Sequence, residues 1–570
     1  MDKIAKFKQI ICDSVFVLNK NEPLGAQEDP NAWIFDFRRI LMNGKNADLV
    51  SEIFYEKFKE RLPFQLCTIE VAGIPLVTSL MTKFFYKGHE NINAFFIRKS
   101  RKKDGLMRMI EGEIQEEKRI VLVDDIINSG NSFWRQIEVL EGLGYKIDTI
   151  WSILRFRDIA YYKRFTEKGI RVESLFTLDD FHVCLNGRVQ NLVDKNETPV
   201  PMPFKVEWTF KSTNPSYGYV ISKSQPVLDE TKIYFGSDNR IFWALNQNDG
   251  SVAWKYQVGP SRNKKSIFSN PIIFKDLVIF GSYDGNIYAL NKETGERVWV
   301  AFEADWIGSS PAIAYDLGVV FIGLEFGLIK KRGGVAALDA RTGKTLWVDV
   351  SHFGFTHASP LYIQKHKQVA IGSNDGKVRL YDAKKGTLLW EFVTDGGRDY
   401  SPLRDGGFGK GDIKEGSAYD QKRDLLIFGS IDGNLYILKR KSGTFVHKHK
   451  CGFGIFSTPL IYENRVYFTS TDKRLRCINL DNFNIIFERN VDDTRIFSSP
   501  IVVNDKLYVG TNAGRLHEID LHTGKELGYF QTAERITNSV VHNTKTNTFF
   551  LPTYANEVFC LKKYLRNLNK

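Results

Sequence analysis

The stretches GSYDGNIYALNKETGERVW (281–299) and GSNDGKVRLYDAKKGTLLW (372–390) follow one pattern, and the pattern recurs. Related copies begin at Gly236, Gly323, Gly429, Thr469, Gly510 and about Pro552, at intervals of about 40 to 57 residues. A repeat of that length is one four-stranded unit that cannot bury its faces alone, so the copies must stack on one another. Asp-Gly and Thr-Gly supply the tight turns, because glycine accepts positive φ. Alternation in NIYAL sends one row of side chains into the space between units. Trp254, Trp299, Trp347 and Trp390, just after the second turn, are expected to anchor one unit on the next. A second marker, small residues before proline, precedes many copies: SNP (269–271), SSP (309–311 and 498–500), ASP (358–360) and STP (457–459).

The last copy, FFLPTYANEVFCLKKYL, ends before its outer strand, and FKVEWTF (204–210), ahead of the first full copy, can supply it. Closing the ring in that way removes the exposed sheet edges. Residues 204–565 are therefore expected to form an all-β propeller of eight blades, with seven as the alternative.

Residues 1–195 have a different rhythm, and 196–203 reads as a linker. CTIEVAGIP, NAFFIRK, RIVLVDD and IDTIWSILRF are apolar runs short enough for buried strands. PLVTSLMTKFFYKG and SGNSFWRQIEVLEGLG between them have helical spacing. That alternation predicts an α/β domain with a mainly parallel sheet, whose ligands gather at the carboxyl ends of the strands. No apolar run is long enough to span a membrane and the N-terminus has no signal-peptide core, so a cytoplasmic protein is expected. Cys12, Cys67, Cys184, Cys451, Cys477 and Cys560 lie far apart without a CxxC pair, which predicts buried free thiols rather than a zinc site or a disulfide framework. Nearly all of the net charge of +12 lies after residue 200. A basic propeller could meet nucleic acid or an acidic protein, and a solvated basic surface is the plainer reading.

IVLVDDIINSGNS (120–132) carries the chemistry. A strand over 120–123 is expected to deliver Asp124 and Asp125 at its carboxyl end. NSGNS (128–132) then leads into a helix, where backbone N–H groups and the helix dipole suit a phosphate. Ser129 and Ser132 add hydroxyl donors, and Gly130 lets the backbone approach closely. Two carboxylates beside an anion would repel it, whereas they are strong acceptors for a pair of sugar hydroxyls. A phosphate with a neighbouring diol describes a phosphorylated ribose. The bland alternative is an acidic strand end followed by a Ser/Gly helix cap.

Through GSxDGxxYALdxxTGxxxW, the repeats resemble the PQQ-like (quinoprotein-dehydrogenase-like) β-propeller family over about 365 residues. Members that use the quinone often carry adjacent cysteines and are exported. This chain has no adjacent cysteines, so no PQQ is expected and the resemblance implies a binding platform.

IVLVDDIINSGNS resembles the 5-phosphoribosyl-1-pyrophosphate (PRPP) signature of type I phosphoribosyltransferases. Its surroundings, from WIFDFRRI (33–40) to SLFTLDDF (174–181), resemble orotate phosphoribosyltransferases. The resemblance assigns Asp124 and Asp125 to the ribose hydroxyls, and Asn128, Ser129, Gly130, Asn131 and Ser132 to the 5-phosphate. EVAGIP (70–75) looks like the pyrophosphate loop, with Val71, Ala72 and Gly73. IRKSRKKDG (97–105) looks like the mobile catalytic loop, with Arg98, Lys99 and Lys103 as diphosphate ligands and Lys102 as the lysine that assists departure of pyrophosphate. Arg155 matches an arginine that faces the base.

A pentosyltransferase is implied, with Mg2+ carried by PRPP rather than held by direct protein ligands, and a homodimer. Three positions depart from the family. Asn128 replaces the usual Thr, Ser or Ala; LGAQEDPNAW (24–33) lacks the expected lysine; Asp104 stands where His is common. Orotate is therefore one candidate base among several. Two other readings stay open: a propeller-controlled regulatory, stress or defence effector that consumes PRPP or nucleotides, and a catalytically silent PRPP- or nucleotide-binding sensor.

Overall fold

The computed structural model describes residues 2–18, 33–71, 73–98, 109–181, 202–213, 215, 224–261, 265–328, 331–401 and 409–563. The chain forms two compact units that divide at Pro199 and Val200.

In the N-terminal unit the strands are β1 (Phe16–Leu18), β2 (Trp33–Phe35), β3 (Phe64–Ile69), β4 (Ala94–Ile97), β5 (Ile110–Glu111), β6 (Arg119–Ile127), β7 (Ile147–Arg155) and β8 (Arg171–Thr177). The helices are α1 (Lys3–Ser14), α2 (Arg38–Leu41), α3 (Gly44–Phe58), α4 (Gly73–Tyr86), α5 (Asn131–Glu141) and α6 (Lys163–Thr166). The main sheet runs β5-β4-β3-β6-β7-β8. It is parallel from β4 to β8, and only β5 is antiparallel. This is the α/β domain with a mainly parallel sheet that the alternating runs predict. β3 is buried along its whole length, including its polar Gln65 and Thr68, as befits a strand covered on both faces. Helix α4 buries Leu76, Val77, Leu80 and Phe84, one stripe of an amphipathic helix. The core joins Phe54, Phe58, Phe64, Phe84 and Trp151, with Phe54 edge-on to Trp151 at 4.8 Å between ring centres.

One strand boundary differs from expectation. β6 continues through the aspartates to Ile127, because its ladder with β7 runs on past them, pairing Asp124 with Ser152 and Ile126 with Leu154.

The C-terminal unit contains eight four-stranded antiparallel sheets. The second is typical: Ile272–Phe274, Leu277–Gly281, Asn286–Asn291 and Arg297–Phe302. The eighth takes three strands from the end of the chain and its outer strand from Phe204–Lys211, with Cys560 opposite Trp208 and Val558 opposite Phe210. Eight blades closed by the 204–210 segment are what the repeat count requires.

The two sequence markers acquire physical roles. Each tryptophan anchor crosses to the next blade, donating from Nε1 to a turn carbonyl: Trp254 to Lys292 (3.0 Å), Trp299 to Ala340 (3.1 Å), Trp347 to Ala383 (3.0 Å) and Trp390 to Arg440 (2.8 Å). Its indole covers the glycine three residues further on. A Cβ on Gly343, at φ +71°, would lie 2.5 Å from the Trp299 ring. Trp208 of the closing strand makes the same contact with Gln247 O (2.9 Å) and Gly250. The serines before proline act at the start of the innermost strands. Ser269, Ser309 and Ser498 accept at Oγ from the N–H of Gly281, Gly323 and Gly510.

Cys67, Cys451, Cys477 and Cys560 are buried free thiols, as expected, whereas Cys12 is disulfide-bonded. Separation along the sequence does not limit approach in space, so the spacing argument fails there. Among the described residues no helix is long and apolar enough to cross a membrane.

Trp299→Ala removes a buried indole and its hydrogen bond, and is expected to cost about 3–5 kcal/mol. Trp299→Phe, which keeps the ring packing and loses only the donor, should cost less. Urea unfolding of the full chain measures both, and a loss below about 1 kcal/mol for the alanine variant would contradict the anchor role.

Candidate functional site

Strand β6 carries Asp124 and Asp125 into the space beside the start of α4. Asp124 is 8% exposed and accepts from Asp125 N at Oδ1 (3.0 Å). Asp125 keeps some surface but is closely surrounded, and it accepts from Ile126 N at Oδ1 (2.8 Å). Burial pushes the Asp125 carboxyl up from its ordinary value. Its contact with Asp124, the Ile126 N–H and the charge of Arg38 pull the other way. Arg38 itself donates from Nε to Asp36 (2.8 Å).

The EVAGIP segment comes close to the first of these carboxylates. A Cβ on Gly73 would lie 1.9 Å from Thr68 Oγ1 and 3.2 Å from Asp124 Oδ1, so only glycine lets the backbone come so close. Val71 is exposed, and the Glu70–Val71 peptide is cis. Arg98, at the end of β4, ion-pairs with Glu70 (3.5 Å) and Glu111 (3.8 Å).

After β6 the loop turns sharply at Gly130, φ +72°, into α5. Asn128 and Ser132 are exposed and Ser129 is half-buried. Asn131 N reaches Ser129 Oγ at 3.4 Å. The side chain of Asn128 accepts at Oδ1 from Arg157 Nε (3.0 Å). From the segment after β7, the Tyr162 hydroxyl donates to Asn128 O (2.7 Å) and lies 3.1 Å from Ile127 O. Arg164 Nη2 donates to Ser129 O (2.5 Å) and to Asn131 Oδ1 (3.0 Å).

Asp124, Asp125, Gly73 and the 128–132 loop thus lie at one edge of one sheet, the carboxyl side of β3 and β6. Arg155 ends β7, in register with Ile127, and its guanidinium donates to Arg157 O. Ala72, Lys99, Lys102, Lys103 and Asp104 lie outside the described residues. Among those described, no group of three His, Cys, Asp or Glu side chains could hold a metal ion. Sequence reasoning missed Asp36, Arg38, Glu70, Tyr162 and Arg164. The first two lie inside the quoted WIFDFRRI and Glu70 opens EVAGIP, so proximity to motifs already singled out was the available signal. Nothing local marks Tyr162 or Arg164.

Comparisons with known proteins divide the chain in the same way. Residues 205–359 and 374–561 match the family described as outer membrane protein assembly factor BamB. Residues 38–173 match the phosphoribosyl transferase domain. An orotate phosphoribosyltransferase of Bradyrhizobium sp. (strain ORS 278) is 28% identical over 153 residues, 26% of this chain and 82% of that protein. The orotate phosphoribosyltransferase of Pyrococcus furiosus is 26% identical over 126 residues, 22% of this chain and 66% of that protein. Among solved structures, BamB from Moraxella catarrhalis has a TM-score of 0.50 at 18% identity, covering 64% of this chain and 99% of its own. Quinohemoprotein alcohol dehydrogenase from Comamonas testosteroni has a TM-score of 0.52 at 13% identity, covering 65% and 78%. At these identities the two structures speak for the propeller fold alone.

The burial of Asp125 has a measurable sign. Its folded pKa lies above the unfolded one, so the folded state binds more protons. Its contribution to stability is therefore best at low pH and is lost as pH rises through the raised value. Asp125→Asn, which keeps the Oδ1 acceptor, should stabilise the protein at pH 7, with the gain shrinking as pH falls toward about 4. Urea midpoints across that range test this, and a gain that grows on acidification would contradict it.

Proposed function

We propose a function for a chain that belongs to the repeat family described as outer membrane protein assembly factor BamB and carries a phosphoribosyl transferase domain at its other end. The N-terminal unit binds PRPP with Mg2+ and transfers ribose 5-phosphate to or from a nitrogenous base. The propeller recognises a partner or signal, with nucleic acid or an acidic protein as candidates for its basic surface. The observation that carries this reading is the close approach of Gly73 to Asp124, which supports a backbone loop for the pyrophosphate beside a carboxylate for the ribose hydroxyls. Orotate, the base named for the relatives, is one candidate, and the family likeness supports a homodimer.

On this reading Asp124 and Asp125 accept from the two ribose hydroxyls, and backbone N–H groups of 128–132 hold the 5-phosphate. Displacement at C1 breaks the bond to pyrophosphate, which leaves with the electron pair, and forms a bond to a ring nitrogen of the base. Positive charge builds on the sugar and negative charge on the leaving group. Mg2+ entering with PRPP stabilises that negative charge when bound, and Arg98 and the lysines of the 98–105 loop add cations. Exclusion of water keeps PRPP from hydrolysis.

The ion pairs of Arg98 with Glu70 and Glu111 compete with a diphosphate for the guanidinium and raise a second reading, in which the unit binds PRPP or a nucleotide without turnover or acts as a regulated consumer of it. Incubation with Mg2+, PRPP and a panel of bases, following pyrophosphate release, separates these. Release that depends on a base supports transfer, release without a base supports a hydrolytic effector, and binding without release supports a sensor. Two charge-assisted hydrogen bonds of about 1.5–3 kcal/mol each are at stake in Asp124→Asn with Asp125→Asn. The double variant should weaken PRPP binding by at least about a hundredfold while the propeller stays folded. Unchanged affinity by calorimetry would sink the site assignment.

A further inference from the structure

Resting on that reading of the 128–132 loop, we propose that Arg164 is a positioning residue for the 5-phosphate, acting through the loop backbone rather than on the ligand. Two consecutive carbonyls of the loop, Asn128 O and Ser129 O, are pinned by side chains of the segment after β7. Tyr162 Oη lies 3.1 Å from Ile127 O and 2.7 Å from Asn128 O, and Arg164 Nη2 lies 2.5 Å from Ser129 O. In a trans peptide the C=O and the next N–H point in opposite directions. Pinning Asn128 O and Ser129 O toward Tyr162 and Arg164 therefore turns the N–H groups of Ser129 and Gly130 away from them, toward the open side of the loop. Successive N–H groups aimed at one space form an anion cradle.

Arg164 is itself held for this task. Its guanidinium lies 5.4 Å from the centre of the Trp134 ring and 4.9 Å from that of Phe165, both buried. A second bond to Asn131 Oδ1, at 3.0 Å, ties it to the first residue of α5. The Phe165 ring closes the space behind Gly130, where a Cβ would lie 2.8 Å from it and 3.1 Å from Arg164 Nη2. With φ at +72° and those contacts, any side chain at position 130 strains the turn. Burial raises the Tyr162 phenol, so it stays a hydroxyl donor throughout the physiological range. The positive charge of Arg164 behind the loop further favours a dianion in front of it.

The test uses the full chain and two probes, ribose 5-phosphate, which needs the cradle, and magnesium pyrophosphate, which does not. Arg164→Gln is expected to weaken ribose 5-phosphate binding by about 10- to 100-fold, the worth of one charge-assisted hydrogen bond. Magnesium pyrophosphate affinity should be unchanged, and Arg164→Lys should restore part of the loss. If the glutamine variant fails to fold, Tyr162→Phe removes the neighbouring anchor and is read in the same way. Unchanged ribose 5-phosphate affinity overturns the proposal, and so does an equal loss for both probes with a lowered unfolding midpoint. If the unmodified protein binds no ribose 5-phosphate, the reading of the loop as a phosphate site falls together with this one.

Discussion

A ring of radially stacked sheets closes only when the last sheet is complete enough to pack on the first, and Phe204–Lys211 supplies the strand that the last sheet lacks. The segment precedes every repeat in sequence yet forms the outer strand of the last sheet. Once it pairs with Glu557–Lys563, the last sheet has its fourth strand, and the same lateral contact can recur around the ring. Trp208 shows that the joint is an ordinary one, since it docks on Gln247 and Gly250 as the other indoles dock on their neighbours. The latch varies at three places, one of which, Gly528, brings no ring at all to the tryptophan position. His447 stacks on Phe483 at 4.9 Å where the others place tryptophan over glycine, and Phe487 covers Gly524. Ring-on-ring packing substitutes for ring-on-backbone packing, which a latch built on area and contact rather than on one hydrogen bond allows.

The N-terminal unit depends on backbone direction in a different way. Its candidate site is made of peptide groups whose orientation is set from behind. Thr68 and Asp124 leave room only for glycine at position 73, and Tyr162 and Arg164 pin the carbonyls after β6. The Asp125 carboxylate is buried against the preference of its charged form for water. An apolar residue at Asp125 would be easier to bury, and the carboxylate that Gly73 approaches is its neighbour Asp124.

The fold was legible where its signals are local. Turn glycines, alternating strands and the spaced tryptophans each report on a few adjacent residues, and the missing strand of the last repeat pointed to FKVEWTF. The aspartate pair and its loop were legible for the same reason. What stayed hidden is set by distant partners. The extension of β6 to Ile127 depends on the ladder with β7, and Arg38, Tyr162 and Arg164 matter only because the chain folds back onto residues 124–131. The disulfide at Cys12 belongs to the same class, because pairing follows distance in space and not the spacing of cysteines.

Arg98 shows how magnitudes decide between two readings of one geometry. Its ion pairs with Glu70 and Glu111, at 3.5 and 3.8 Å, look at first like a block on the diphosphate position. All three side chains keep solvent contact, with exposures of 25%, 17% and 34%. Such pairs are worth about 0.2–1 kcal/mol. A hydrogen bond from the guanidinium to a diphosphate oxygen is charge-assisted and worth about 1.5–3 kcal/mol. On the phosphoribosyl reading, giving up both pairs costs about 0.4–2 kcal/mol against that gain. Exchange of the carboxylates for the ligand therefore runs from even to downhill, and the acidic neighbours do not bar it. The cost of the exchange falls on Glu70 and Glu111, which must turn toward water, and both have surface through which to do so. A resting ion pair at this position is thus compatible with turnover, and the choice between transferase and sensor lies with the leaving-group side of the site.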